Sequence, residues 1–278
     1  MPHPPRTSAR PGQGFASTAA GQDAVRTGIV VHGVDFSGAD SGGAAKIRVI
    51  ERDLGTPRAE VVARGQLDRK SLVRAIQASN GDGRAHLWRI DAPSGLPLSM
   101  ATELAQPEDW KSIAQWMLEC GAPRQWRSRV RQTTRREPRR TCDQAMSTPM
   151  APMNLRVFKQ TWTFVCEVLL PLAESGVGIE PMLPVRGARV VVCEGCPASV
   201  LACKGWAKRG YKGPGDPPVQ ARAEIVRHLR HDGMNIPPAL ADQAISDVEG
   251  DVVDALLLAT PPFQTVVPRE ALVESWIY

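Results

Sequence analysis

The sequence predicts an α/β fold: a mixed five-stranded sheet with flanking helices and a helical insertion between strands 4 and 5. Three observations lead to it. Short β-branched runs recur along the chain, a helical pattern separates the third run from the fourth, and three runs close on a carboxylate, at Asp35, Asp91 and Glu194. At 278 residues the chain sits at the upper end of what one hydrophobic core supports, so a single elaborated domain suffices.

Residues 1–25 mix Pro, Gly, Ser, Ala and Gln with few large apolar side chains, so they are expected to form a disordered tail ahead of a domain over 26–278. The run Gly28-Ile29-Val30-Val31-His32-Gly33-Val34-Asp35, followed by Phe36-Ser37-Gly38, reads as a buried strand and a turn. Residues 47–51 and 60–64 are two further strands, and the Gly55-Thr56-Pro57 turn between them suits antiparallel neighbours. Asp68 is placed to cap a crossover helix through Leu72, Val73 and Ile76, which Asn80-Gly81-Asp82-Gly83 ends. Residues 86–90 form the fourth strand, stopped at Asp91-Ala92-Pro93 because proline cannot continue a ladder.

Residues 97–186 carry two helical patterns and an arginine-rich connector, and read as the helical insertion. Within it Leu155, Phe158, Trp162, Val165, Leu169 and Leu172 alternate spacings of three and four, which puts all six on one helical face. Residues 189–193 resume the sheet as the fifth strand and end at Glu194. A helix follows through Ala223, Val226 and Leu229, and a last one runs from about 248 to 259. Asp247, Asp251 and Asp254 make an i, i+4, i+7 stripe on this otherwise apolar helix.

Composition narrows the function classes. No apolar run approaches the roughly 20 residues that span a bilayer, and the start lacks the apolar core of a secretory signal, so a soluble cytoplasmic protein with no membrane partner is expected. Six cysteines in such a chain read as reduced thiols. Cys193 and Cys196, with His228 and His231, nominally offer a zinc site, but the pair equally suits a buried strand end and turn. Basic residues outnumber acidic ones, 34 to 29, and Arg124, Arg127, Arg129, Arg131, Arg135, Arg136, Arg139 and Arg140 crowd one segment. That segment reads either as a track for a phosphate backbone, with Trp126 stacking on an unpaired base, or as a solvated connector.

Strand, strand, strand, helix, strand, helical insertion, strand, helix is the order of an RNase H-like fold. Ligands of open α/β sheets bind outside strand C-termini, so in this order Asp35, Asp91, Glu194 and the Asp251/Asp254 pair converge. Singly, Asp35, Asp91 and Glu194 have an ordinary explanation, because acids often end strands and begin turns. Asp254 is harder to explain so, since it interrupts an apolar helix. Clustered carboxylates repel and need a cation, and hard oxygen ligands select Mg2+ or Mn2+. Asp35, Asp91, Glu194 and Asp254 are therefore the expected metal ligands, with Asp251 beside them, for hydrolysis of a phosphodiester.

Val34-Asp35-Phe36-Ser37-Gly38-Ala39, Ile90-Asp91-Ala92-Pro93-Ser94-Gly95-Leu96-Pro97, Val192-Cys193-Glu194-Gly195-Cys196-Pro197 and Asp251-Val252-Val253-Asp254-Ala255-Leu256 together resemble the family of uncharacterised proteins described as predicted RNase H-like nucleases. The likeness spans nearly the whole chain after the tail. It implies an RNase H-like fold and a metal-dependent nuclease with acidic positions at Asp35, Asp91, Glu194, Asp251 and Asp254. Arg140-Thr141-Cys142-Asp143 and Tyr211-Lys212-Gly213 also resemble family features, which brings Asp143 and Lys212 to the site as contributors. Ser37, Arg135, Arg136, Arg139 and Arg140 join them as expected substrate contacts.

The expected partner is nucleic acid, DNA or RNA. Two other readings remain open. Ser37-Gly38-Ala39-Asp40-Ser41-Gly42-Gly43 resembles the phosphate loop of sugar-kinase and actin-like phosphotransferases, although one Gly-rich turn is weak on its own. A non-catalytic nucleic-acid-binding protein would also keep the fold, because fold does not establish activity.

Overall fold

In the computed structural model the described residues are 28–40, 46–56, 58–100, 109–134, 136–263 and 265–278. The expected tail, Arg135 and residues 41–43 of the Gly-rich turn lie outside them. Strand β1 (Ile29–Asp35) is central, and its β-branched Val30, Val31 and Val34 are fully buried, as a strand flanked on both sides requires. It pairs antiparallel with β2 (Ile47–Asp53), which pairs antiparallel with β3 (Val62–Leu67). On its other side β1 runs parallel to β4 (Ala85–Asp91). Two more strands, β5 (Gly178–Glu180) and β6 (Val190–Glu194), complete a mixed six-stranded sheet in the order β3-β2-β1-β4-β6-β5.

Six strands correct the expected five. The additional β5 lies inside the span read as wholly helical and is only three residues long, too short to display an alternation of period two.

Helix α1 (Arg69–Ala78) crosses from β3 to β4, and Asp68 caps it by accepting from Ser71 N at 2.6 Å. Between β4 and β5 come α2 (Trp110–Glu119), α3 (Pro123–Thr133), α4 (Thr141–Ala145), α5 (Phe158–Phe164), a π-helical turn over Val165–Leu169, and α6 (Leu170–Ala173). After β6 follow α7 (Pro197–Cys203), α8 (Asp216–His231), α9 (Pro238–Ser246), α10 (Asp251–Leu258) and α11 (Ala271–Glu274). None of the described helices is long and apolar enough to cross a membrane.

The two faces of the sheet carry separate cores. Val34, Ile47 and Ile90 pack with Leu72 of α1 and with Ile113, Phe164 and Leu169 of the inserted helices. Leu201, Val226, Leu240 and Val253 of α7 to α10 form the second core with Ile50. The expected six-residue face is corrected at one end: Leu155 precedes α5 and is 68% exposed, while the other five residues are buried. The π turn also adds a residue to the helical repeat there, which a 3.6-residue count does not anticipate.

Gly33 decides how closely α10 approaches β1. A Cβ at Gly33 would stand 2.1 Å from Ala255 O and 2.4 Å from Ala259 N, both main-chain atoms that cannot swing aside. Gly33→Ala must therefore push α10 off the strand. Such overpacking costs roughly 1–3 kcal/mol or more. Urea denaturation should show that loss, and an unchanged midpoint would mean that α10 adjusts freely.

Candidate metal centre

Asp35 and Asp91 are the last residues of two adjacent parallel strands and stand directly opposite each other in the register. Asp254 sits in the first turn of α10. With α10 seated on Gly33, carboxylate oxygens of Asp35, Asp91 and Asp254 come within 4.8 Å of one another. Gly250 sets the start of that helix, with φ at 78°, and a side chain there would press on Tyr211 and Lys212 at 3.2 Å. Asp247 does not extend the helical stripe as expected. It precedes the helix and accepts from Val252 N at 2.9 Å, satisfying one of the free donors of the first turn.

Asp254 is 1% exposed, whereas Asp35 and Asp91 are half-buried. Lys212 Nζ lies 2.6 Å from one oxygen of Asp254, and the Tyr211 hydroxyl donates to the other at 2.7 Å. Buried Arg222 fixes the segment that delivers both groups, donating to Tyr211 O at 2.7 Å, Gly213 O at 3.2 Å and Ile245 O at 2.7 Å. Burial, then the charge of Asp254, pushes the Asp91 carboxyl up to about 8, with Lys212 pulling the other way. Asp35 is raised well above the usual carboxylate range, by burial first and then by Asp254, Asp251 and Asp91. Burial also raises Asp254, against Lys212 and Tyr211, and it raises Asp251, aided by Asp247. Burial lowers the Lys212 ammonium, but Asp254, Asp35 and Asp91 together hold it above its ordinary value.

One ammonium faces three converging acids, so their full ionisation would leave the negative charge undercompensated. The donors are all hard carboxylate oxygens at mutual distances that a single ion can bridge. This set suits a divalent cation of the magnesium or manganese type.

No family model, curated protein or solved structure matches the chain.

Glu194 departs from its expected place among the ligands. Although β6 ends beside β4, both Glu194 oxygens are taken: Arg140 Nη1 and Nη2 donate to them at 2.6 Å each, and Ser94 N, Ser94 Oγ and Ser275 Oγ donate to Oε2 at 2.8, 2.9 and 3.1 Å. Arg140 is likewise no surface contact for substrate. It is 1% exposed and grips Asp143 as well, at 2.8 and 3.1 Å, so Asp143 is part of a buried ion-pair network. Arg139 donates to Thr148 O and Pro149 O, while Arg136 is exposed. Lys212 reaches the carboxylates, as noted, and Asp251 borders them. Among the described residues only Asp35, Asp91 and Asp254 converge as a set of three or more metal donors, so Cys193, Cys196, His228 and His231 form no zinc site; both of these thiols are buried.

A cleft of about 340 Å3 opens beside Asp35, lined by Ser37, Gly38 and Asp251 and also by Lys46, Arg156, Lys159 and Gln160. Lys46, Arg156, Lys159 and Gln160 were not anticipated from sequence, because isolated polar residues give no local signal. Gln160 has a structural task as well: its Nε2 donates to Phe36 O at 2.9 Å and to Asp91 O at 2.5 Å, bridging the two strand ends that carry Asp35 and Asp91. Gln160→Leu removes that bridge and leaves all three carboxylates. Losing such an outer partner costs about 10-fold or more in metal affinity. Mn2+ titration calorimetry should show the loss, and unchanged affinity would reduce Gln160 to a loop contact.

Proposed function

We propose that this chain is an RNase H-like, metal-dependent phosphodiesterase that acts on nucleic acid in the cytoplasm. The observation that carries the proposal is the convergence of Asp35, Asp91 and Asp254 from β1, β4 and α10 within 4.8 Å. The strand order β3-β2-β1-β4-β6 supports the RNase H-like reading, with β5 as an added edge, and six free thiols suit a reducing compartment.

Asp35, Asp91 and Asp254 would hold Mg2+ or Mn2+, and the bound ion would polarise the phosphodiester and lower the pKa of the attacking water. Before metal enters, Lys212 and Tyr211 hold Asp254 in one orientation through both of its oxygens. Asp251 adds negative charge at the mouth of the cleft, and Lys46, Arg156 and Lys159 oppose it with positive charge where the flanking phosphates would lie.

Purified protein incubated with Mn2+ and labelled oligonucleotides should release shortened products, and Asp35→Asn and Asp254→Asn should each abolish release while near-UV circular dichroism stays native. Full activity in both folded variants would defeat the proposal. Turnover of ATP with none of oligonucleotides would select the phosphotransferase, and tight oligonucleotide binding with no turnover would select the binding protein.

A further inference from the structure

We infer that the substrate is short: a phosphodiester of one or two nucleotides, or a strand end, and not the interior of a long duplex. This rests on the phosphodiesterase reading and narrows its substrate class. Gripping a long duplex takes a track of cations, with about 6–10 phosphate contacts in well-bound cases. The arginine-rich segment would have been that track, yet half of its eight arginines are committed elsewhere, and the exposed Arg124, Arg129 and Arg136 do not line the cleft. Arg140 is buried on Glu194 and Asp143, Arg127 and Arg131 pair with Glu137, and Arg139 is held by two main-chain carbonyls.

Among the described residues, Lys46, Arg156 and Lys159 bring positive charge to the lining of the cleft beside Asp35. Lys46 and Arg156 are exposed and form no ion pair with a described residue, while Lys159 shares its ammonium with exposed Asp40. Three cations on a cleft of about 340 Å3 match two or three phosphates, not ten. Two residues of the cleft lining also meet closely, since a Cβ on Gly38 would stand 2.4 Å from Gln160 N. Backbone meets backbone there, so the segments carrying Ser37 and Lys159 are fixed together.

The test compares a chromogenic nucleoside 5′-phosphodiester, a long single strand and the matching long duplex, each with Mn2+ over a range of salt. The short ester should be turned over at least as efficiently, per scissile bond, as either polymer. The logarithm of affinity should fall with the logarithm of salt at a slope of only about −2, as two or three released counterions require. Joint substitution Lys46→Ala with Arg156→Ala should raise KM about 10-fold for all three substrates, as removal of uniform binding does, with Mn2+ affinity retained. A preference of more than about 10-fold for the duplex, with the steep salt slope of many contacts, overturns the inference and leaves the phosphodiesterase standing. If Mn2+ binds the triad but no phosphodiester of any length is turned over, the phosphodiesterase reading fails and the inference goes with it.

Discussion

Asp91→Asn is expected to make the metal-free protein more stable and at the same time unable to bind Mn2+. In the folded chain the Asp91 carboxyl is pushed up to about 8 from an ordinary value of 3.8. A group raised in this way favours the folded state fully below its unfolded value, and the contribution is lost as pH rises through the folded one. Between pH 4 and 8 the unfolded chain ionises Asp91 readily while the folded one resists, so metal-free stability should drop across that window. Asparagine removes the drop. The gain in melting temperature of the variant should therefore be absent near pH 4 and greatest above pH 8. Metal affinity of the parent should run the opposite way, rising with pH up to about 8, because binding needs ionised ligands. Loss of a direct ligand should cost more than the about 10–100-fold typical of an outer partner. Melting curves with and without Mn2+ at several pH values read both effects, and a variant that is no more stable than the parent at high pH would sink the account.

The second large effect is at Arg140. Arg140→Met leaves Glu194 and Asp143 buried without their shared cation, and breaking a buried pair from one side costs about 3–5 kcal/mol. Urea denaturation should show a loss on that scale, large enough to endanger the fold. Arg136→Ala, four residues away on an exposed side chain, should fall within about 0.5 kcal/mol of the parent. Equal costs at the two positions would mean that the Arg140 network is not what holds β6 to α4.

The contrast between these two arginines shows where sequence reading runs out. A count of charges sees one basic cluster, but the fold threads Arg140 into the interior and leaves Arg136 outside, a division set by partners 54 residues away at Glu194. Glu194 misled for the same reason. It ends a β-branched run just as Asp35 and Asp91 do, and only the approach of Arg140 from the insertion makes it an ion-pair partner. Asp35, Asp91 and Asp254 were legible because their signals are local: an acid closing a buried strand, and an acid within an apolar helix. The order of the first four strands and the capped helix between them were legible likewise, through β-branched runs and the Asp68 cap. Strand β5 and the π turn were not, one for shortness and the other because it breaks the period on which the reading depends. Gln160, Lys46 and Arg156 acquire meaning only once the insertion folds back over the strand ends.

Lys212 gives the pocket a resident of its own. With its ammonium already seated on Asp254, any newcomer of higher charge enters by eviction, at an apparent affinity discounted by what that contact is worth. Monovalent ions would gain little from such an exchange, whereas a dication would gain on all three carboxylates at once. A displaced Lys212 would keep its charge and its four-carbon tether, and so remain a counter-ion near the site.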